Sequence, residues 1–348
     1  MTGAEIALRI LMGEDPGAPC ILGDWVFNPA FFRAVTGRAI SEDPLRVAIE
    51  AFRKVGANLT PQFAIATTED YHPFHSPPSE PAISPEDVCS EIERLPDIET
   101  LERGFDLEAA AENYTRPILE FRKVAQDDIL RISSFGHPNF MGSYGKWGYE
   151  AFLTALALYP EHIGRWFAYT GEYSRLQNLA VAEAVRKYDL APFVYNGDDI
   201  CYNAGPMCSV DTLRRLYFPA LRHAIQPLHD AGIRIIWHSD GNILPILDDL
   251  LQAGMWGFQG FQEETGPTLD VMASQRTIWG RRPILIGSVS VTRTMPFATA
   301  EDVRADVDRC FAACPGGGFV LATSSSFGPE VPVENMLAMY RRACARRS

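Results

Sequence analysis

From residue 192 to its end, the chain alternates short apolar runs with amphipathic stretches five times over. The predicted strands are PFVYNGDDI from Pro192, then 233–238, 256–260, PILIGS at 283–288 and GGFVLATS ending at Ser324. Each is followed by a predicted helix, at 209–231, 242–253, 268–278, 299–313 and 332–345. Apolar runs of this length, bounded by turn residues, read as fully buried strands. A helix between successive strands serves as a crossover, so the strands must run parallel. Start signals agree. Ser209 stands as N-cap of one helix, and Thr299 opens another with Glu301 and Asp302 in its first turn. Pro219, near the middle of 209–231, predicts a kink.

The first half is less regular. Residues 1–19 read as an N-terminal extension with a short helix and a Pro/Gly-containing lead-in. Strands are predicted at 20–27 (CILGDWVF), 58–66 and 128–134 (DILRISS), and a helix at 43–55 closed by Gly56. Five prolines within 73–86 preclude a helix or central strand there and predict a long loop or lid. Residues 85–125 are helical pieces broken by Pro96 and Gly104. Asp43–Arg53 and Pro117–Lys123 read as amphipathic surface helices, each with proline in its first turn. FGHPNFMGSYGKWGYE, 135–150, has the Gly and aromatic content of a binding loop, and helices follow at 148–158 and 160–187. Three early strands and five later ones predict an α/β chain folded as a (β/α)8 TIM barrel, a single domain over 1–348 with a Pro-rich loop. Its site would lie at the carboxyl ends of the strands. An open nucleotide-binding sheet is less favoured, since no G-x-G-x-x-G or P-loop is present.

Charge narrows the partners. The 348 residues carry a net charge of −13 without a basic stripe, which argues against nucleic acid. The one basic cluster, Arg341, Arg342, Arg346 and Arg347, reads as a solvated helix end. No run reaches the length of a membrane span and MTGAEIALRILMGEDPG does not look like a signal peptide, so a cytoplasmic location is expected. Seven cysteines without C-x-x-C spacing read as free thiols, and Cys310 and Cys314 as core packing rather than metal ligands.

The stretch IRIIWHSDGN, 233–242, carries the strongest chemical signal. Its apolar run ends abruptly in His238, Ser239, Asp240 and Gly241, and residues two apart on an extended chain share a side, so His238 and Asp240 converge. Other strand ends would contribute Asp24, Asp70 with His72, His137, Asp198 and Asp199, Glu264, Ser288, Ser290 and Ser324 to Ser326. Lys146 and Arg293 are the available cations. Such an acidic, hydroxyl-rich mouth suits a metal, a cationic substrate or a proton-sharing carboxylate pair, not phosphate. Adjacent Asp198 and Asp199 must face opposite ways. No base is placed beside the serines, which disfavours a serine nucleophile. His162, His223 and His229 read as structural. Trp147, Tyr144, Tyr195 and Phe31 read either as cleft walls or as core.

WHSDGNILPILDDLLQAGMWGFQGFQEETGPTLDV, ILIGSVS followed by TAEDVRADV, and the ending GGFVLATSSSFGPEVPVENMLAM resemble the uroporphyrinogen decarboxylase superfamily over roughly 192–345. The resemblance implies a (β/α)8 barrel. It divides between tetrapyrrole decarboxylases and cobalamin-linked methyltransferases. GDWVFNPAFFRAVTGR stands where the decarboxylases carry an arginine-rich segment for substrate carboxylates, so the methyltransferase-like branch is the nearer match. That branch holds zinc with a His-x-Cys pair and a later Cys. Here His238 matches, Asp240 stands at the first Cys and Ser325 near the second.

The resemblance therefore implies an enzyme that moves a methyl group from a small donor, an O-methyl aromatic or a methylated amine, to a corrinoid protein. His238, Asp240, Asp198 and Asp199 are the expected catalytic residues. Trp25, Asp70, His72, His137, Tyr144, Trp147, Tyr195, Glu264, Ser288 and Ser325 are expected to bind substrate. Zinc or another divalent metal is expected on His238, Asp240 and Glu264. The corrinoid would come on a separate protein, because this chain has no D-x-H-x-x-G motif, and a homodimer is compatible with the sequence. The alternatives are a decarboxylase or lyase of a small carboxylic acid, and a ligand-binding barrel without chemistry.

Overall fold

A computed structural model describes residues 1–70 and 83–346. His72 and most of the proline-rich loop lie outside them. The chain divides into two compact units. The first comprises the described residues of Met1–His75, Pro117–Ser133 and Trp256–Ser348; the second those of Ser76–Arg116 and Ser134–Met255.

All eight expected strand regions contain a parallel strand. These are β1 (Cys20–Ile21), β2 (Leu59–Thr60), β3 (Leu130–Arg131), β4 (Phe193–Gly197), β7 (Arg234–His238), β8 (Met255–Gln259), β9 (Ile284–Val289) and β10 (Phe319–Thr323). The remaining two, β5 (Cys201–Tyr202) and β6 (Gly205–Pro206), form a small antiparallel hairpin that the apolar pattern does not announce. In the first unit β1 pairs with β10, β10 with β9, β9 with β8, and β2 with β3. A parallel bridge from Leu22 to Leu59 joins β1 to β2. In the second unit β4 pairs with β7, in register from Phe193 opposite Arg234 to Gly197 opposite His238. Gly197 is required there, because a Cβ would sit 1.8 Å from the His238 carbonyl oxygen.

The chain is thus α/β with parallel strands and helical crossovers. The three early strands are only two residues long, shorter than the apolar runs that predicted them. Their continuation is made instead by isolated bridges, such as Val26 to Ile65 and Val26 to Phe327. The N-terminal extension is built into the first unit. Its helix Gly3–Leu11 receives the indole N–H of Trp256 on the Leu11 carbonyl at 2.8 Å.

Several helices depart from expectation for identifiable reasons. Pro117 does not open a helix but lies inside Leu107–Ala125, where flanking residues of high helix propensity carry the helix through it. The aromatic stretch after β3 is not all loop. Asn139 caps a helix, Phe140–Trp147, by accepting the N–H of Gly142. The predicted 209–231 helix is three segments, Val210–Thr212, a π-helical turn Leu213–Tyr217, and Phe218–Asp230. Pro219 donates no N–H, and the ladder is wide-turned just before it. Both cores are aromatic: Phe31, Phe32, Phe52 and Tyr340 are fully buried in the first unit, and Trp237, Tyr195, Tyr217, Phe140 and Phe167 in the second.

Candidate active site

Strand β4 ends at Gly197 and delivers Asp198 and Asp199 in opposite directions, as successive residues of an extended chain must. Asp198 is completely buried. Its carboxylate accepts the N–H of Phe140 at 2.6 Å and of Met141 at 2.6 Å, together with the Tyr217 hydroxyl at 2.6 Å, and lies 3.2 Å from Nδ1 of His137. It therefore caps the amino end of helix Phe140–Trp147, where free N–H groups favour an anion. Burial, reinforced by the Asp198 charge, pushes the Tyr217 phenol well above its ordinary pKa, so it remains a donor. Asp198 is saturated by these partners and acts as a clamp, with His137 packed beside it. Nothing in the sequence marks Tyr217 for this, since its position depends on the π turn.

Asp199 faces the other way. Its Oδ1 accepts the backbone N–H of Asp240 at 2.9 Å and lies 3.5 Å from Nε2 of His238. The His238 and Asp199 side chains are 22% and 28% exposed, enough for a ligand to reach them. Asp199, His238 and Asp240 each offer one ligand atom, all within 4.8 Å of one another. Glu264, expected as a metal ligand, is not in this set; Asp199 takes that place. Glu264 belongs to the first unit, where its carboxylate accepts hydroxyls from Ser290, at 2.8 Å, and Thr292.

The surrounding backbone holds the three donors still. Gly241 has φ +79°, and a Cβ on it would lie 2.8 Å from the Tyr202 carbonyl oxygen. The same carbonyl accepts the N–H of Asn242 at 3.0 Å, so the β5–β6 hairpin is pinned against the turn that follows Asp240. The Tyr195 ring packs 6.1 Å from the His238 ring. Tyr144 donates its hydroxyl to the Asp199 carbonyl at 3.2 Å, and burial raises its pKa so that it stays protonated.

Other expected residues have different surroundings. Trp147 is buried, donates to Glu91 at 2.7 Å and packs 4.9 Å from Trp166, which makes it a core residue. Lys146 pairs with Glu91 as well. In the first unit, Trp25 donates to Gln62 at 3.0 Å, and Asp70 is exposed. Ser288 is buried and donates to Glu263, and the Ser325 carbonyl accepts the Thr323 hydroxyl at 2.7 Å. Asp24 is buried and accepts five donors from Thr60, Gln62, Phe63, Ala64 and Trp25, a role in shaping the 60–64 loop.

One imidazole and two carboxylates make a hard nitrogen–oxygen donor set. It suits a proton relay or an oxygen-preferring divalent cation, and does not suit a thiolate-bound zinc. All seven cysteines are free.

No curated protein matches the chain. Among solved structures, a methyltransferase from Methanosarcina mazei shares its fold, with a TM-score of 0.64 at 14% identity over 99% of this chain and 98% of that one. A family model described as uroporphyrinogen decarboxylase (URO-D) matches residues 171–345. That span is 175 of 348 residues and includes all of Asp198, Asp199, His238 and Asp240. The chain belongs to the uroporphyrinogen decarboxylase family.

Proposed function

We propose that the protein is a cytoplasmic methyltransferase-like enzyme. It takes a methyl group from a small donor, an O-methyl aromatic or a methylated amine, and passes it to a corrinoid on a separate protein. The observation that carries this reading is the Asp199–His238–Asp240 cluster at the ends of β4 and β7. The end-to-end fold similarity to an enzyme named a methyltransferase supports it. We further propose that the eight parallel strands close into a (β/α)8 barrel with this cluster at its mouth.

Methyl transfer breaks a C–O or C–N bond and leaves the electron pair on the heteroatom. The reduced corrinoid supplies the pair that captures the methyl group. The protein's task is to stabilise the leaving heteroatom. In this reading His238 gives that atom a proton, and Asp199, 3.5 Å from Nε2, holds the ring and balances the charge that forms on it. Asp240, fixed through its N–H on Asp199, supplies a second carboxylate to orient a methylammonium group or share the proton. Asp199, His238 and Asp240 are also the residues that would hold a divalent cation, which when bound would polarise the leaving heteroatom.

The test is to mix the protein with a reduced corrinoid protein and candidate donors and follow the methyl–cobalt absorbance. Transfer from at least one donor, lost in His238→Ala, is expected. No signal with any donor beside a working control enzyme sinks the proposal, and corrinoid-independent release of carbon dioxide would favour a lyase.

A further inference from the structure

The second unit holds a cleft of about 470 Å³ between helices Leu107–Ala125 and Pro160–Lys187, with Asn196 of β4 in its lining. That volume is in the range of small-molecule sites. We propose that it binds a small uncharged molecule with a planar ring and hydrogen-bonding groups, at a site separate from the His238 cluster.

Charge decides the ligand class. No lining residue is ionised at neutral pH. The polar groups that line it include the carboxamides of Asn113, Gln177 and Asn196, each able to donate and accept. Arg116, outside the lining, donates to Asn113 at 2.9 Å. A charged ligand would lose hydration here without meeting a counter-charge. Aromatic walls favour a ring: Phe105 and Tyr173 meet edge to face at 6.3 Å, and Phe135 stands in the lining as well. A second observation points to a missing acceptor. The indole N–H of Trp237 is fully buried with no hydrogen-bond partner among the described residues. Its ring packs 6.3 Å from that of Phe135, and Trp237 is the cross-strand neighbour of Asn196. A buried donor left unmet is costly, and the proposed ligand would sit against the Phe135 ring that packs on this indole.

The strand pleat separates this cleft from the candidate active site. Tyr195 packs toward His238, so Asn196 projects from the opposite face of β4. Another cleft of this unit differs in kind. It is lined by Glu102, Glu172, Arg175 and His223, where Arg175 pairs with both Glu102 and Glu172 and the His223 Nε2 lies 2.6 Å from Glu172.

Three isosteric probes test the proposal on the full chain by calorimetry and ligand-observed NMR: benzamide (neutral), benzoate (anion) and benzamidine (cation). Benzamide should bind saturably with a Kd in the millimolar range or below, about tenfold or more tighter than either charged probe. Gln177→Leu should weaken it by about three- to tenfold, and Gln177→Trp, which fills the cleft, should abolish it with an unchanged melting profile. His238→Ala should leave binding intact, whether or not the protein transfers methyl groups. Absence of saturable binding overturns the proposal. So do equal binding of the charged probes, retention in a folded Gln177→Trp, or loss in His238→Ala, which would move the ligand to the other site.

Discussion

Two acidic strand ends, one in each unit, look alike in sequence and differ in chemistry. After β8 come Glu263 and Glu264; after β4 come Asp199 and, across from it, His238 and Asp240. Glu263 accepts Ser288, the Leu269 N–H at 2.9 Å and the Arg309 guanidinium at 2.8 Å. Glu264 accepts Ser290 and Thr292. Each of those carboxylates is matched with donors from its own unit, and the result is a fixed corner. Asp199, by contrast, spends one oxygen on a backbone N–H and faces an imidazole and a second carboxylate. Two carboxylates and an imidazole gathered within 4.8 Å, with partial exposure, are what a cation can exploit. Acidic residues at strand ends therefore do not identify a site; what matters is whether their partners are donors or one another.

Activity gives the sharpest test of this contrast. His238→Ala should reduce methyl transfer by about 10²- to 10⁴-fold, while Glu264→Gln should hold it within about tenfold; equal losses in initial-rate measurements would break the distinction. Stability should invert the order. Glu263→Gln is expected to cost about 1–3 kcal/mol in denaturant unfolding, since it takes the anion from buried Ser288 and leaves Arg309 with Asp306 alone. Asp199→Asn should stay within about 0.5 kcal/mol, because the amide oxygen still accepts the Asp240 N–H and a carboxylate repulsion is relieved.

Added Mn²⁺ should raise the melting temperature of the wild-type protein in a concentration-dependent way and leave Asp199→Asn unmoved. An equal shift in both would place any cation elsewhere. A smaller effect is expected on acidification. Burial works to raise the Glu264 pKa, but the Thr292 and Ser290 hydroxyls outweigh it and hold the carboxyl below its ordinary value. Its contribution is thus full above the ordinary carboxylate range and lost as pH falls through the depressed folded value. Glu264→Gln should accordingly lose less stability than the wild type between about pH 5 and 3. Smallest of all should be the response of Cys201 and Cys208 to alkylation. Burial pushes both thiols to about 12, so labelling at pH 8 should await unfolding.

Strand positions were legible because buried parallel strands leave continuous apolar runs, and all eight appear where those runs lie. His238 with Asp240 was legible because residues two apart on a strand must share a side. The third member was harder. Asp198 and Asp199 are indistinguishable on paper, and only the register of Gly197 opposite His238 decides which one turns toward the imidazole. Glu264 was a plausible ligand by composition, yet its hydroxyl partners lie 26 and 28 residues away in the chain, beyond any local pattern. The hairpin after Asp199 and the π turn that brings Tyr217 to Asp198 also escaped, since both are set by tertiary packing rather than by periodicity.

The buried clamp at Asp198 has a consequence for anyone who wishes to remodel this protein. Helix Phe140–Trp147 owes the position of its first turn to one carboxylate just past the end of β4, through the amides of Phe140 and Met141. Because those bonds are made by backbone, the exposed positions Met141, Gly145 and Lys146 are interchangeable as far as the clamp is concerned, whereas Gly142 is not, since a Cβ there would lie 2.2 Å from the Asn139 side chain. The helix is in effect a cassette with a fixed plug. Libraries that vary its outward residues should keep their seat as long as Asn139, Asp198 and Tyr217 stay constant, whereas a change at any of the three would unseat every variant at once.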